Sequence, residues 1–205
     1  MNYVKTFRVV ASLVVLGWAA TARADINGSL WLNDFSNNAS ACTVCVNPPD
    51  ITFTTTDINY DSRVTGYTIS DFLTNTTFLT GLDPTLLSLD NTHIRFTGAT
   101  YLNAGVNSFV VPHDDGLVLS MDGGIGIVLN QPGPTSPTPS PFDVTAPSAG
   151  LYNFTLDYNE CCGPPGVLAF QVNGAPVGVP DGGMTLMLLG GALVGLETLR
   201  RKFRV

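Results

Sequence analysis

Positive charge is the scarcest property of this sequence. Three of its nine Lys and Arg residues fall in the first 24 positions and four in the last six. Between those ends only Arg63 and Arg95 stand against fourteen of the sixteen acids, so residues 25–178 carry about −12. Such a surface repels phosphate backbones and anionic headgroups, which excludes nucleic acid and acidic lipid as partners. Cations and neutral glycans stay open to it. Histidine is nearly missing too: His93 and His113 are the two. No Ser or Cys sits in a recognisable nucleophile motif. A secreted hydrolase would have to rest on His113 beside Asp114, or on Glu160 paired with an aspartate, and any acidic chain offers such pairs. The chain is therefore read as non-enzymatic. Long apolar periodicity at 3.6 residues is absent, which excludes a helical bundle.

The two apolar runs that do occur lie at the ends. Lys5 and Arg8, an apolar core over 9–20 and Ala22-Arg23-Ala24 make residues 1–24 a secretory signal peptide. Signal peptidase is expected to cut between Ala24 and Asp25. At the other end, Val179, Pro180, Asp181, Gly182 and Gly183 precede an apolar run over 184–199 and then Arg200, Arg201 and Lys202. A breaker, an apolar helix and a basic stop make a membrane anchor with its basic end in the cytoplasm. Sixteen residues at about 1.5 Å each reach roughly 24 Å, short of a hydrocarbon core of roughly 30 Å, and the basic side chains can snorkel across the difference.

This tail resembles the PEP-CTERM class of bacterial sorting signals, in the variant that opens Val-Pro-Asp-Ser/Gly-Gly. The resemblance implies recognition by an exosortase in the inner membrane, then release to the cell surface or an extracellular polysaccharide matrix. Three segments are thus expected: signal peptide 1–24, one domain over 25–178, and sorting signal 179–205.

The domain is rich in Thr, Val, Gly, Asn and Pro. Strands are expected at 27–32, 51–56, 64–69, 93–99, 108–111, 117–121, 126–129, 150–158 and 167–172. In the clearest, Tyr152, Phe154, Leu156 and Tyr158 alternate with Leu151, Asn153, Thr155 and Asp157, leaving one apolar face. A short helix is expected within 71–89, after Asp83-Pro84, with Asp83 as its cap. Five prolines within 131–141 predict an extended surface loop without ladder hydrogen bonds. Together these predict an all-β, two-sheet sandwich.

Within the later half, Asp114-Asp115-Gly116, a strand, Met121-Asp122-Gly123, and later Ala149-Gly150-Leu151-Tyr152 with Tyr158-Asn159-Glu160 and Gly163 are similar to the PA14 family pattern. The resemblance implies a β-sandwich adhesion or carbohydrate-binding module. In its sugar-binding members, adjacent aspartates hold a calcium ion that glycan hydroxyls also touch. The chemistry is compatible: calcium takes six to eight hard oxygens, and two neighbouring carboxylates supply a first pair. Asp122, Asn130 and Asp143 are candidates for the rest. Taken by itself, Asp115-Gly116 reads first as a hairpin turn with exposed carboxylates.

Four cysteines come as Cys42-Thr-Val-Cys45 and the vicinal Cys161-Cys162. In an exported chain that even count predicts disulfides. A zinc site of four cysteines wants two C-x-x-C knuckles, and the vicinal pair departs from that. A vicinal bond strains the peptide between its cysteines, so cross-links between the two pairs are expected instead; one such bridge closes about 120 residues and is worth on the order of 4–5 kcal/mol. The expected role is structural or adhesive at the cell surface, with a calcium-dependent carbohydrate-binding module as the alternative.

Overall fold

The computed structural model describes residues 25–178. The signal segment with Ala24, and the tail with Val179, Pro180, Asp181, Gly182, Gly183 and its apolar run, lie outside the described residues. Asp25 opens them as an exposed residue. Among the described residues no helix is long and apolar enough to cross a membrane.

The strands are β1 (Ile26–Leu32), β2 (Ile51–Thr55), β3 (Asn59–Asp61), β4 (Thr76–Gly81), β5 (Thr92–Leu102), β6 (Gly105–Val110), β7 (His113–Asp114), β8 (Gly116–Met121), β9 (Gly126–Gln131), β10 (Pro141–Ala146), β11 (Gly150–Glu160), β12 (Val167–Ala169), β13 (Gln171–Val172) and β14 (Ala175–Pro176). Two single-turn helices, α1 (Ser62–Thr65) and α2 (Ile69–Phe72), interrupt them. Seven strands form one antiparallel sheet in the order β4-β2-β1-β5-β11-β8-β9. A second layer holds two smaller sheets, β10-β6-β13-β14 and β3-β12-β7. The chain passes between these two at Val111-Pro112 and again at Phe170, so they act as halves of one layer.

The central pair is β5 with β11, in register from Thr92 opposite Glu160 to Leu102 opposite Gly150. Alternation decides which face is buried. Tyr152, Phe154, Leu156 and Tyr158 all point into the core, as the sequence pattern predicts. They meet the other layer through Phe154 edge-on to Phe170 at 5.3 Å, and α2 through Phe72 stacked on Tyr158 at 5.9 Å. Each fully buried side chain of that size contributes roughly 1.5–3 kcal/mol. The outer face of the same sheet is largely polar, except where residues 33–50 fold over Trp31 and His93.

Four expectations are corrected. Residues 64–69 are not a strand: Val64 lies in α1, 83% exposed, and Ile69 begins α2. Thr68 caps α2 by accepting the Asp71 N–H, so local capping wins over strand pairing. No helix follows Asp83-Pro84. The Asp83 carboxylate does accept the Thr85 N–H at 3.0 Å, yet the chain only turns there, and β4 occupies part of the span instead. The proline-rich loop is not free of ladder bonds: Thr138 exchanges backbone bonds with His113, and Ser140 with Val111. The disulfides are local, Cys42 to Cys45 and Cys161 to Cys162. Each pair sits in its own tight turn, with Cα atoms 5.6 and 3.8 Å apart, so proximity along the chain decides the pairing.

Candidate functional site

Asp114 ends β7, and Asp115 leads into β8 through Gly116. Pro112 stops the preceding strand, and the peptide bond between the two aspartates is cis. The two residues are 5% and 4% exposed, unlike the open carboxylates of a simple turn. Asp115 is held on both oxygens: Oδ1 accepts the Thr135 N–H at 3.0 Å and Oδ2 the Cys161 N–H at 2.9 Å. Those bonds tie the proline-rich loop and the vicinal disulfide to one carboxylate. Gly116 is required there, because a Cβ would stand 2.1 Å from the Pro132 carbonyl oxygen.

Beneath the pair lies Glu160, wholly buried at the end of β11. Tyr67 donates to its Oε1 at 2.8 Å, and the Tyr158 hydroxyl bonds both its Oε2 and the Asp114 carbonyl oxygen. A single hydroxyl hydrogen cannot serve two acceptors, so a protonated Glu160 supplies the second. Burial indeed pushes the Glu160 carboxyl up to about 9, against the two tyrosine bonds that favour its charge. Burial also pushes Asp114 up to about 7, helped by the charge and hydrogen bond of Asp115 and opposed by Arg63. The charges of Asp115 and Asp114 act in the same direction on Glu160, and Arg63 is itself engaged with Asp61 at 2.5 Å. This is a nearly buried acidic group of side chains.

The other candidates scatter. Asp122 lies at the far end of β8, a six-residue strand of roughly 20 Å, and binds Asn153. Asp143 lines an open groove of about 710 Å³ beside Gly123 and Ile127, at that same end. Asn130 stands opposite Val118, whose neighbours Leu117 and Leu119 fill the core, so it belongs to the outward face. His113 is completely buried: Nδ1 donates to the Asp115 carbonyl oxygen at 2.6 Å, and Nε2 lies 2.7 Å from Gln131 Oε1. It props the aspartate pair rather than facing solvent.

The residues that complete the site and escape a sequence reading are backbone groups and tyrosine hydroxyls. Thr135 and Cys161 contribute N–H groups, which no motif marks. Tyr158 reads as core, and its hydroxyl betrays nothing of its partners. The Cys161–Cys162 disulfide has Cys162 exposed, and both sulfurs lie within 4.8 Å of an Asp115 carboxylate oxygen.

Fold and site together define a two-layer antiparallel β-sandwich with an acidic site at one end. Solved structures share that fold. The chain is similar to the PA14 sugar-binding domain from an RTX adhesin, at 20% identity and a TM-score of 0.54, covering 76% of this chain and 94% of that one. It is similar to the PA14 domain of the MpAFP antifreeze protein, at 22% identity and a TM-score of 0.57, covering 77% of this chain and 82% of that one. An anti-sigma factor domain-containing protein gives 13% and 0.53 over 78% of this chain and 46% of its own. No protein-family model matches the sequence, and no curated protein matches it. The architecture is PA14-like.

Proposed function

We propose that the chain is an exported, non-enzymatic adhesive module that binds a neutral glycan with calcium at Asp114 and Asp115. The observation that carries this reading is the aspartate pair itself: adjacent, nearly buried, held by Thr135 and Cys161, and uncompensated by a contacting base. Each Asp115 oxygen accepts one N–H and keeps a lone pair, so the donor set fits a hard cation. Asp114 and Asp115 would hold calcium, which supplies the positive charge and further coordination positions for sugar hydroxyls. Cys162, the exposed half of the vicinal disulfide beside Asp115, would offer an apolar flank to the C–H face of a sugar ring. One of the similar folds is a sugar-binding domain, which is in keeping. Burial of Glu160 and His113 supports a binding role over hydrolysis. Delivery would run through signal peptidase at Ala24–Asp25 and an exosortase at Val179 to Gly183, placing the protein at the cell surface or in polysaccharide matrix.

Glycan-array binding by the purified protein tests this, with calcium and with chelator. Binding should vanish with chelator and in the double variant Asp114→Asn, Asp115→Asn, while that variant still melts cooperatively. Equal binding with and without calcium, or no calcium uptake by the wild type, would sink the reading.

A further inference from the structure

The sandwich is open along one flank. β9 is the last strand of the large sheet, paired only with β8, and β10 is the last strand of a facing sheet, paired only with β6. Among the described residues no further backbone pairing reaches 126–131 or 141–146, so each strand keeps one row of N–H and C=O groups without a protein partner. The two strands border the groove of about 710 Å³, with Ile125, Ile127 and Val128 on one wall and Asp143, Val144 and Thr145 on the other. Exposed edges are usually blunted by lysine, proline or a covering loop, because unpaired backbone groups template another chain. β9 carries none of these: Ile127, Val128 and Leu129 run consecutively without a charge, and Ile127 is 65% exposed. The register shift at Val128, between its neighbours' partners Ser120 and Leu119, bends the strand but leaves it uncovered.

Two facing rows of backbone donors and acceptors are met in full by an extended polypeptide, which carries N–H and C=O groups on both sides. Charge says which kind. Asp143 is exposed on the β10 wall, and the two basic side chains of the described residues are engaged elsewhere, Arg63 with Asp61 and Arg95 with Asp157. We propose that this flank is a docking site for an extended, basic segment of a partner protein, which adds as a strand between β9 and β10. Six residues of β9 run roughly 20 Å, enough for a short strand whose alternate side chains turn inward against Ile125 and Val144. Lysine or arginine among the others complements Asp143 and the charge of about −12 on residues 25–178. A second copy of this chain lacks that complementarity, since it brings the same negative charge to the contact. No residue of the glycan site takes part, so failure of one proposal leaves the other standing.

The test is fluorescence anisotropy on the full chain at physiological salt, with a labelled peptide that alternates valine with lysine. The same peptide N-methylated on alternate residues keeps the charge and loses ladder donors, and it should bind at least about tenfold more weakly. A peptide alternating valine with glutamate should not bind. Asp143→Asn should weaken the lysine peptide, whereas Asp114→Asn with Asp115→Asn should leave its binding in place. Hydrogen exchange should slow at 126–131 and 141–146 when the peptide is added, and stay unchanged in β4 at the other edge of the large sheet. Equal affinity for the N-methylated peptide would reduce the effect to charge attraction and overturn the proposal. So would protection confined to other strands, or a dimer in sedimentation whose β9 amides are already protected without peptide.

Discussion

At the scale of single residues, the acid cluster makes stability depend on pH in a direction opposite to ordinary surface carboxylates. Burial raises Glu160 to about 9, and burial with Asp115 raises Asp114 to about 7. In both cases the folded state holds its proton more tightly than the unfolded state. Their contribution is therefore complete below the ordinary carboxylate range and is lost as pH rises through about 7 and then about 9. Asp157 works the other way: burial opposes its charge, but His93 and Arg95 overcome that and hold its carboxyl below the usual range. Its contribution is lost only in strong acid. Urea unfolding in calcium-free buffer should thus show stability declining by at least about 1 kcal/mol between pH 5 and pH 9, since a tenfold change in proton affinity corresponds to about 1.4 kcal/mol. Glu160→Gln should flatten the upper part of that decline, and an unchanged slope would refute the assignment. A second consequence concerns calcium. Asp114 must release its proton to serve as a ligand, so affinity should fall as pH drops through about 7. Calorimetry in two buffers of different ionisation enthalpy should detect the released proton.

At the scale of elements, the proline-rich loop is the piece whose role differs most from its composition. Five prolines mark a stiff connection, and composition reads it as detached. Its non-proline residues tell the rest: Thr138 and Ser140 bond to β7 and its approach, while Thr135 reaches Asp115. Gly116→Ala tests the coupling. The added methyl meets a backbone carbonyl at Pro132, which also accepts the Ala39 N–H. Overpacking of that kind costs about 1–3 kcal/mol. Urea midpoints should fall accordingly, and calcium binding should weaken with them, because the loop must shift away from Asp115. Binding unchanged in a destabilised variant would mean that the loop does not support the site. Strands with strict alternation, such as β11, were legible from the sequence. Missed β10 carries the same signal in Phe142, Val144 and Ala146 against Asp143 and Thr145, masked by the Pro141 before it. Missed β4 is rich in threonine, but Asp83-Pro84 just beyond mimics a helix start. Local cues compete there, and sheet pairing with β2 decides.

At the scale of the whole molecule, the sequence showed which cysteines are oxidised but not which pair, because pairing depends on where turns place the sulfurs. Local pairing changes what the disulfides are worth. A bridge across about 120 residues would restrict the unfolded chain by on the order of 5 kcal/mol, whereas the four-residue ring of Cys42–Cys45 restricts it by only about 2 kcal/mol. Cys161–Cys162 closes no chain segment and adds little by that route. The two layers are instead held by their aromatic interface, Phe154 on Phe170 and Phe72 on Tyr158, with α2 completing it. Reduction of both disulfides in metal-free buffer should therefore leave a cooperatively folded protein, with the melting temperature lowered by about 4–8 °C. Differential scanning calorimetry with and without phosphine measures this directly. Unfolding on reduction at room temperature would show that the bridges, not the core, hold the sandwich.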